Sequence, residues 1–299
     1  MGGYDLFGFR NWSIECIIRR VELKELLKME GKRVRESRTF RIALIIGILI
    51  TVSQYIMYVL PCVQYLDKYK ENPFGSLCPH TWYEKWIGGE TISSQAYLFF
   101  MLLPVLAVLP HGTSLASDHI SGYIYHVFSR EKKEKYYLAK YIVTFVSGGV
   151  AVIIPLLVNL FLSICTLPSI LPDKSTGTSM IAGDMMWVDF YYLHPNLYII
   201  AYLGLIFVFS GLIATLALTI GLYAQNVFLI SIVPFVCYLF LYALCYTLDC
   251  VELAPFAYLS PAQRVEHVSF IMVLLEMFIL WAVPGGVYLY KMKQDETIG

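Results

Sequence analysis

Between positions 111 and 140 this chain gathers the residue types best able to do chemistry: His111, Asp118, His119, His126, Ser129, Arg130 and a run of lysines. A histidine beside a carboxylate can shuttle protons as general acid and base. The spacing here fits none of the recognisable hydrolytic forms: there is no HExxH, no paired carboxylates and no serine elbow. A phosphate cradle is missing too. It needs a glycine, four residues and then Gly-Lys-Ser/Thr, so that backbone amides surround the phosphates. Gly31-Lys32 is followed by Arg33 and has Leu26 where the first glycine belongs. The seven cysteines include no CxxC pair and no Cys/His grouping, so no metal site is expected. Cys62 and Cys78 share one loop, where a disulfide and two free thiols are both open readings. The chain by itself is not expected to be an enzyme.

Six apolar runs must position these residues: Phe40 to Leu60, Gln95 to His111, Tyr141 to Cys165, Leu197 to Gly221, Val227 to Cys245 and Val268 to Tyr290. About 20 apolar residues in a helix rising ~1.5 Å each cross a hydrocarbon core of ~30 Å. Only the second run is short. Apolar residues make up 58% of the chain and charged ones 15%, far from soluble composition. The expected fold is an all-α membrane protein with six transmembrane helices over 40–299, preceded by a cytoplasmic element over 1–39. Residues 1–39 have no apolar core, so the first span is expected to act as the insertion signal.

Orientation follows from the basic residues. Ten lysines and arginines lie between Arg10 and Arg41, and Arg130, Lys132, Lys133, Lys135 and Lys140 follow span two. The opposite side carries only Lys68, Lys70, Lys85, Lys174 and Arg264. The positive-inside rule then puts both termini in the cytoplasm, with a bacterial plasma membrane as the expected location. The net charge of zero hides this asymmetry, and no nucleic-acid partner is expected.

From Trp12 to Ser37, Ile14, Ile17, Ile18 and Val21 share one helical face, which Leu26, Leu27 and Val34 roughly continue. Glu15–Arg19 and Glu25–Lys28 can pair on the opposite face. An amphipathic basic helix before a span is expected to lie in the lipid interface, apolar side down. Farther on, Ile120, Tyr123, Ile124 and Val127 are expected to form one apolar face of a short helix, suited to a membrane surface or to a groove on a soluble partner.

The order Asp118, Gly122, Ser129-Arg130, Tyr136 and Lys140, running into a span that opens Tyr141-Ile142-Val143, resembles the corresponding loop of type-2 ABC-transporter permeases. Six spans, cytoplasmic termini and a leading interfacial helix match as well, so the resemblance covers nearly the whole chain. It implies that this loop is a cytoplasmic coupling helix contacting a separate ABC ATPase subunit, through Asp118, Ile120, Gly122, Tyr123 and Arg130. It implies ATP-driven export of a hydrophobic or amphipathic peptide, lipid or drug, with ATP and magnesium held by the ATPase. A second permease subunit, identical or related, would complete the path. Spans two and five line much of that path in the family, which points to Phe100, Phe235 and Tyr238.

Glu276 is the one carboxylate clearly inside an apolar span. A role in substrate passage and a role in packing are both open for it. Small residues recur in spans three (Ser147, Gly148, Gly149, Ala151) and four (Gly211, Thr215, Thr219), where close packing inside one subunit is preferred over a dimer seam. Most of the tryptophans and tyrosines of the outer loops, among them Trp82, Tyr83 and Trp86, read as an interfacial belt. A rival reading is a non-transporting sensor or immunity subunit that binds a toxic peptide on those loops.

Overall fold

The computed structural model describes residues 23–71, 80–90, 92–129, 132–174, 181 and 183–297. Those residues contain helices and no strand. Helix α1 covers 23–36. Ser37 then breaks the chain direction and caps α2 (Arg38–Gln54), its side chain accepting from the Thr39 amide at 3.2 Å. A π turn over Tyr55–Val59 leads into α3 (Leu60–Glu71), giving one continuous apolar helix over Arg38–Leu66. The wide turn has a local cause: Pro61 has no N–H to offer Met57, so the regular ladder is interrupted there.

Helix α4 (Trp82–Lys85) is a single turn, and α5 (Ser94–Val108) is capped by Ser93. Two short helices follow, α6 (Ser114–Ile120) and α7 (Tyr123–Phe128), before the long α8 (Lys133–Thr166). The second half contains α9 (Val188–Leu193), α10 (Pro195–Ile220), α11 (Val227–Thr247), α12 (Pro255–Tyr258) and α13 (Phe270–Thr297). Pro195 opens α10, where its missing N–H costs nothing. Asn226 caps α11 by accepting from the Phe228 and Leu229 amides at 3.0 and 3.3 Å.

Five helices are long and apolar enough to cross a bilayer: Arg38–Leu66, α8, α10, α11 and Phe270–Gln294 of α13. The chain is thus a multi-pass α-helical membrane protein. The remaining apolar helix, α5, has 15 residues and rises about 22 Å, short of the hydrocarbon core.

Helix α10 is central and packs against α8, α5, α11 and α13. The small residues make this possible. A Cβ on Gly148 would stand 2.5 Å from the Ala214 Cβ, and one on Gly211 would stand 2.7 Å from the Phe145 ring. The small-residue stripes therefore close the seam between α8 and α10 within one chain. Helices α11 and α13 instead leave most of their apolar surface uncovered.

The spans have two ends of distinct chemistry. The basic end carries α1, α6, α7 and the start of α8; the aromatic end carries α4, α9 and α12. At the aromatic end the tryptophans depart from the expected interfacial belt. Trp82, Tyr83, Trp86 and Ile87 are buried, because residues 80–90 fold back against the bundle. Buried Asn159 of α8 holds that segment by accepting from the Ile87 amide at 2.8 Å, while its own amide donates to the Thr51 carbonyl and to Gln54 Oε1.

Candidate functional site

The basic end encloses a cluster of ionisable side chains from four elements. Residues 26, 30 and 34 form the buried edge of α1, which brings Glu30 inward between Leu26 and Val34 with Arg33 beside it. The turn after α5 supplies His111, and α6 supplies Asp118. Tyr136 and Lys140, four residues apart, share the inward face of α8. Glu30, Asp118, His111, Tyr136 and Lys140 are all buried.

Asp118 is the hub. Arg33 donates from Nη1 to Oδ2 at 3.1 Å and from Nη2 to Oδ1 at 2.6 Å, a bidentate fork. The Tyr136 hydroxyl donates to Oδ2 at 2.5 Å, and Lys140 Nζ lies 2.5 Å from the same oxygen. Glu30 closes the other side. It accepts from Arg33 Nη1 at 3.0 Å, stands 3.4 Å from Lys140 Nζ, and has His111 Nε2 at 3.3 Å. The lysine contacts are ion pairs without aligned hydrogen bonds.

Two carboxylates thus face two cations. Burial alone would neutralise these groups. For Asp118, burial raises the pKa, but Arg33, Lys140 and Tyr136 outweigh it and hold the carboxyl at about 2. For Glu30, burial also opposes ionisation, and the contact with His111 together with Lys140 and Arg33 brings the pKa below its ordinary value. Burial drives the His111 pKa down, with the charge of Lys140 adding to it and Glu30 opposing, so the imidazole is neutral at pH 7.

Next to the hub the chain turns sharply. Gly122 is left-handed (φ 71°) and separates α6 from α7, with open space where a Cβ would be, so backbone conformation and not packing selects glycine. The break divides the apolar face expected of Ile120, Tyr123, Ile124 and Val127. Ile124 and Val127 bury against Leu115, Tyr136, Tyr137 and Tyr288. Tyr123 is half-buried under the Arg33 guanidinium, 4.7 Å from its ring centroid. Ile120 points outward, 59% exposed, and Tyr125 is 71% exposed.

No protein-family model, curated protein or solved structure matches this chain.

Of the residues singled out from sequence, Asp118, Gly122 and Tyr123 meet at this cluster, Ile120 is exposed beside it, and Arg130 lies outside the described residues. Phe100 is fully buried, and its carbonyl accepts from the Tyr238 hydroxyl at 3.2 Å; Phe235 is half-buried. Glu276 accepts a short hydrogen bond from Tyr258. Phe256, in α12 with Tyr258, meets Tyr238 edge-on with ring centroids 6.1 Å apart. Phe100, Tyr238 and Glu276 therefore gather around α12, at the end opposite Asp118. Cys62 Sγ donates to the Tyr58 carbonyl at 3.1 Å, and Cys78 lies outside the described residues.

Sequence reasoning missed Arg33 as a partner of Asp118, and missed Glu30 and His111 as members of the same cluster. Arg33 counted only as one positive charge among many. The available signal was Glu30, an acid four residues from both Leu26 and Val34, which breaks an apolar stripe and demands a buried partner. Among the described residues, no group of three or more His, Cys, Asp or Glu could hold a metal ion.

Proposed function

We propose that this chain is the permease subunit of an ATP-driven ABC exporter, resembling type-2 permeases. Its six spans would include the short α5, both termini would be cytoplasmic, α1 would lie at the lipid interface, and the α6–Gly122–α7 turn would be the coupling element. The observation that carries this reading is mechanical. The turn is clamped through Asp118 to α1 by Arg33 and to α8 by Lys140 and Tyr136, while Ile120 and Tyr125 stay exposed. A push on the exposed tip from a partner ATPase, which would bind ATP and magnesium, would reach α8 through fixed charges and not through a flexible loop. A second permease subunit would complete the path, and the cargo would be hydrophobic or amphipathic.

The test is purification of the chain from its native cells in mild detergent, followed by mass spectrometry of the bound proteins. A stoichiometric partner with a P-loop, lost on Ile120→Asp with thermal stability unchanged, is the expected result. A chain that carries no ATPase through several gentle detergents overturns the reading and leaves the outer-loop sensor.

A further inference from the structure

A cavity of about 580 Å³ opens between the first turns of α8 and residues 281–292 in the middle of α13. It exists because α13 carries Gly285 and Gly286 where larger side chains would fill it; a Cβ on Gly286 would meet nothing within 4 Å. Tyr141, Tyr288 and Trp281 form aromatic walls, with Tyr141 and Tyr288 ring centroids 5.4 Å apart. The Tyr141 hydroxyl is buried without a hydrogen-bond partner. Leu138, Leu289 and Met292 complete an almost wholly apolar lining. Among the described residues, the one charged side chain on the wall is Glu134, an exposed acid that no described cation pairs with.

A second hollow, about 500 Å³, shares Tyr141 and Trp281 and continues away from Glu134 along α8, α10 and α13. Phe145, Leu212 and Phe278 are among its walls, and no charged residue among the described ones lines it. The two hollows form one groove with a carboxylate at the basic end, an aromatic box next to it, and an apolar track beyond.

We propose that this groove is a binding site for a cationic amphiphile. The carboxylate of Glu134 attracts the cationic head, the rings of Tyr141 and Trp281 accept it by cation–π contact, and the tail follows the apolar track. Glu134 disfavours an anionic head at that wall, and the lysines on either side of it, Lys133 and Lys135, are not among the residues that line the cavity. The site needs neither ATP nor a partner subunit, so it stands or falls separately from the export reading.

The test places the full chain in neutral phosphatidylcholine nanodiscs and measures binding of radiolabelled dodecyltrimethylammonium by equilibrium dialysis, with empty nanodiscs subtracted. One saturable site per chain is expected, and dodecyl sulfate, with the same tail, should not displace the cation. Glu134→Gln should weaken binding about threefold, the worth of one solvent-exposed ion pair without a hydrogen bond. Gly286→Leu should fill the groove and remove the site. Binding that never saturates above empty discs, that Glu134→Gln leaves unchanged, or that dodecyl sulfate displaces equally well overturns the proposal. Glu134 is exposed, so its variant tests the site even if Gly286→Leu does not fold.

Discussion

Arg33 grips both carboxylate oxygens of Asp118 across 85 positions of sequence, at 2.6 and 3.1 Å. That fork ties α1 to the loop between α5 and α8, and both carboxylate oxygens are occupied. The same oxygen that takes the weaker branch also receives Tyr136 and Lys140, so losing one partner strands the others.

Asp118→Asn should therefore lower stability by about 3 to 5 kcal/mol, because Lys140 remains buried with only Glu30 at 3.4 Å to balance it. The double variant Asp118→Asn/Lys140→Met should recover part of the loss, since the unpaired charge is then gone. Thermal unfolding of the purified protein in detergent compares the two, and a double variant no better than the single one would refute the charge account.

Arg33→Lys should fail to restore what Arg33→Ala removes. Lysine keeps the charge but cannot reach two oxygens at once or stack on Tyr123 as the planar guanidinium does. Melting curves of the three proteins decide this, and a lysine variant matching the parent would show that charge alone matters.

Acid should destabilise the protein in two stages. His111 has its pKa lowered by burial, so unfolding takes up a proton and stability falls as pH drops through about 6.5, the ordinary histidine value. The Asp118 carboxyl, held at about 2 against an ordinary 3.8, contributes stability that is complete above about pH 4 and lost between there and pH 2. That second contribution is on the order of 2 kcal/mol. Unfolding midpoints measured across pH 2 to 8 should show both stages, and His111→Gln should erase the upper one only.

Gly122→Ala should cost about 1 kcal/mol from the left-handed backbone, with no steric clash, while Gly122→Asn should be milder because asparagine tolerates that conformation. A larger loss for asparagine than for alanine in the same melting assay would count against backbone strain as the reason for glycine.

Asn159→Leu should release residues 80–90 at the aromatic end, because the Ile87 amide, the Thr51 carbonyl and the Gln54 side chain each lose a buried partner. The Thr51 carbonyl keeps its helix bond from the Tyr55 amide, whereas the stranded Ile87 amide and Gln54 Oε1 each cost about 1 to 3 kcal/mol. Labelling of a cysteine introduced at Lys85 should speed up severalfold in this variant, and an unchanged rate would mean that packing of Trp86 holds the segment unaided.

The sequence by itself determined the membrane class, the places of five long apolar helices, the side-to-side asymmetry of charge and the glycine stripes that seal α8 against α10. Each of these is a property of one contiguous segment, set by hydropathy, charge count or side-chain size. Asp118, Gly122, Tyr136 and Lys140 were legible as a spaced pattern for the same reason. Only the tertiary structure decided what that pattern holds together. Glu30, Arg33 and His111 converge on it from elements whose relative placement no local periodicity encodes, and the fold-back of 80–90 depends on one buried asparagine in a different helix. The same holds for the groove beside Glu134: Gly285 and Gly286 look like ordinary small residues of a span until α8 stands opposite them. Burial turns these charges and gaps into sites, because the cost of leaving a charge or a hollow unfilled exists only where packing excludes water.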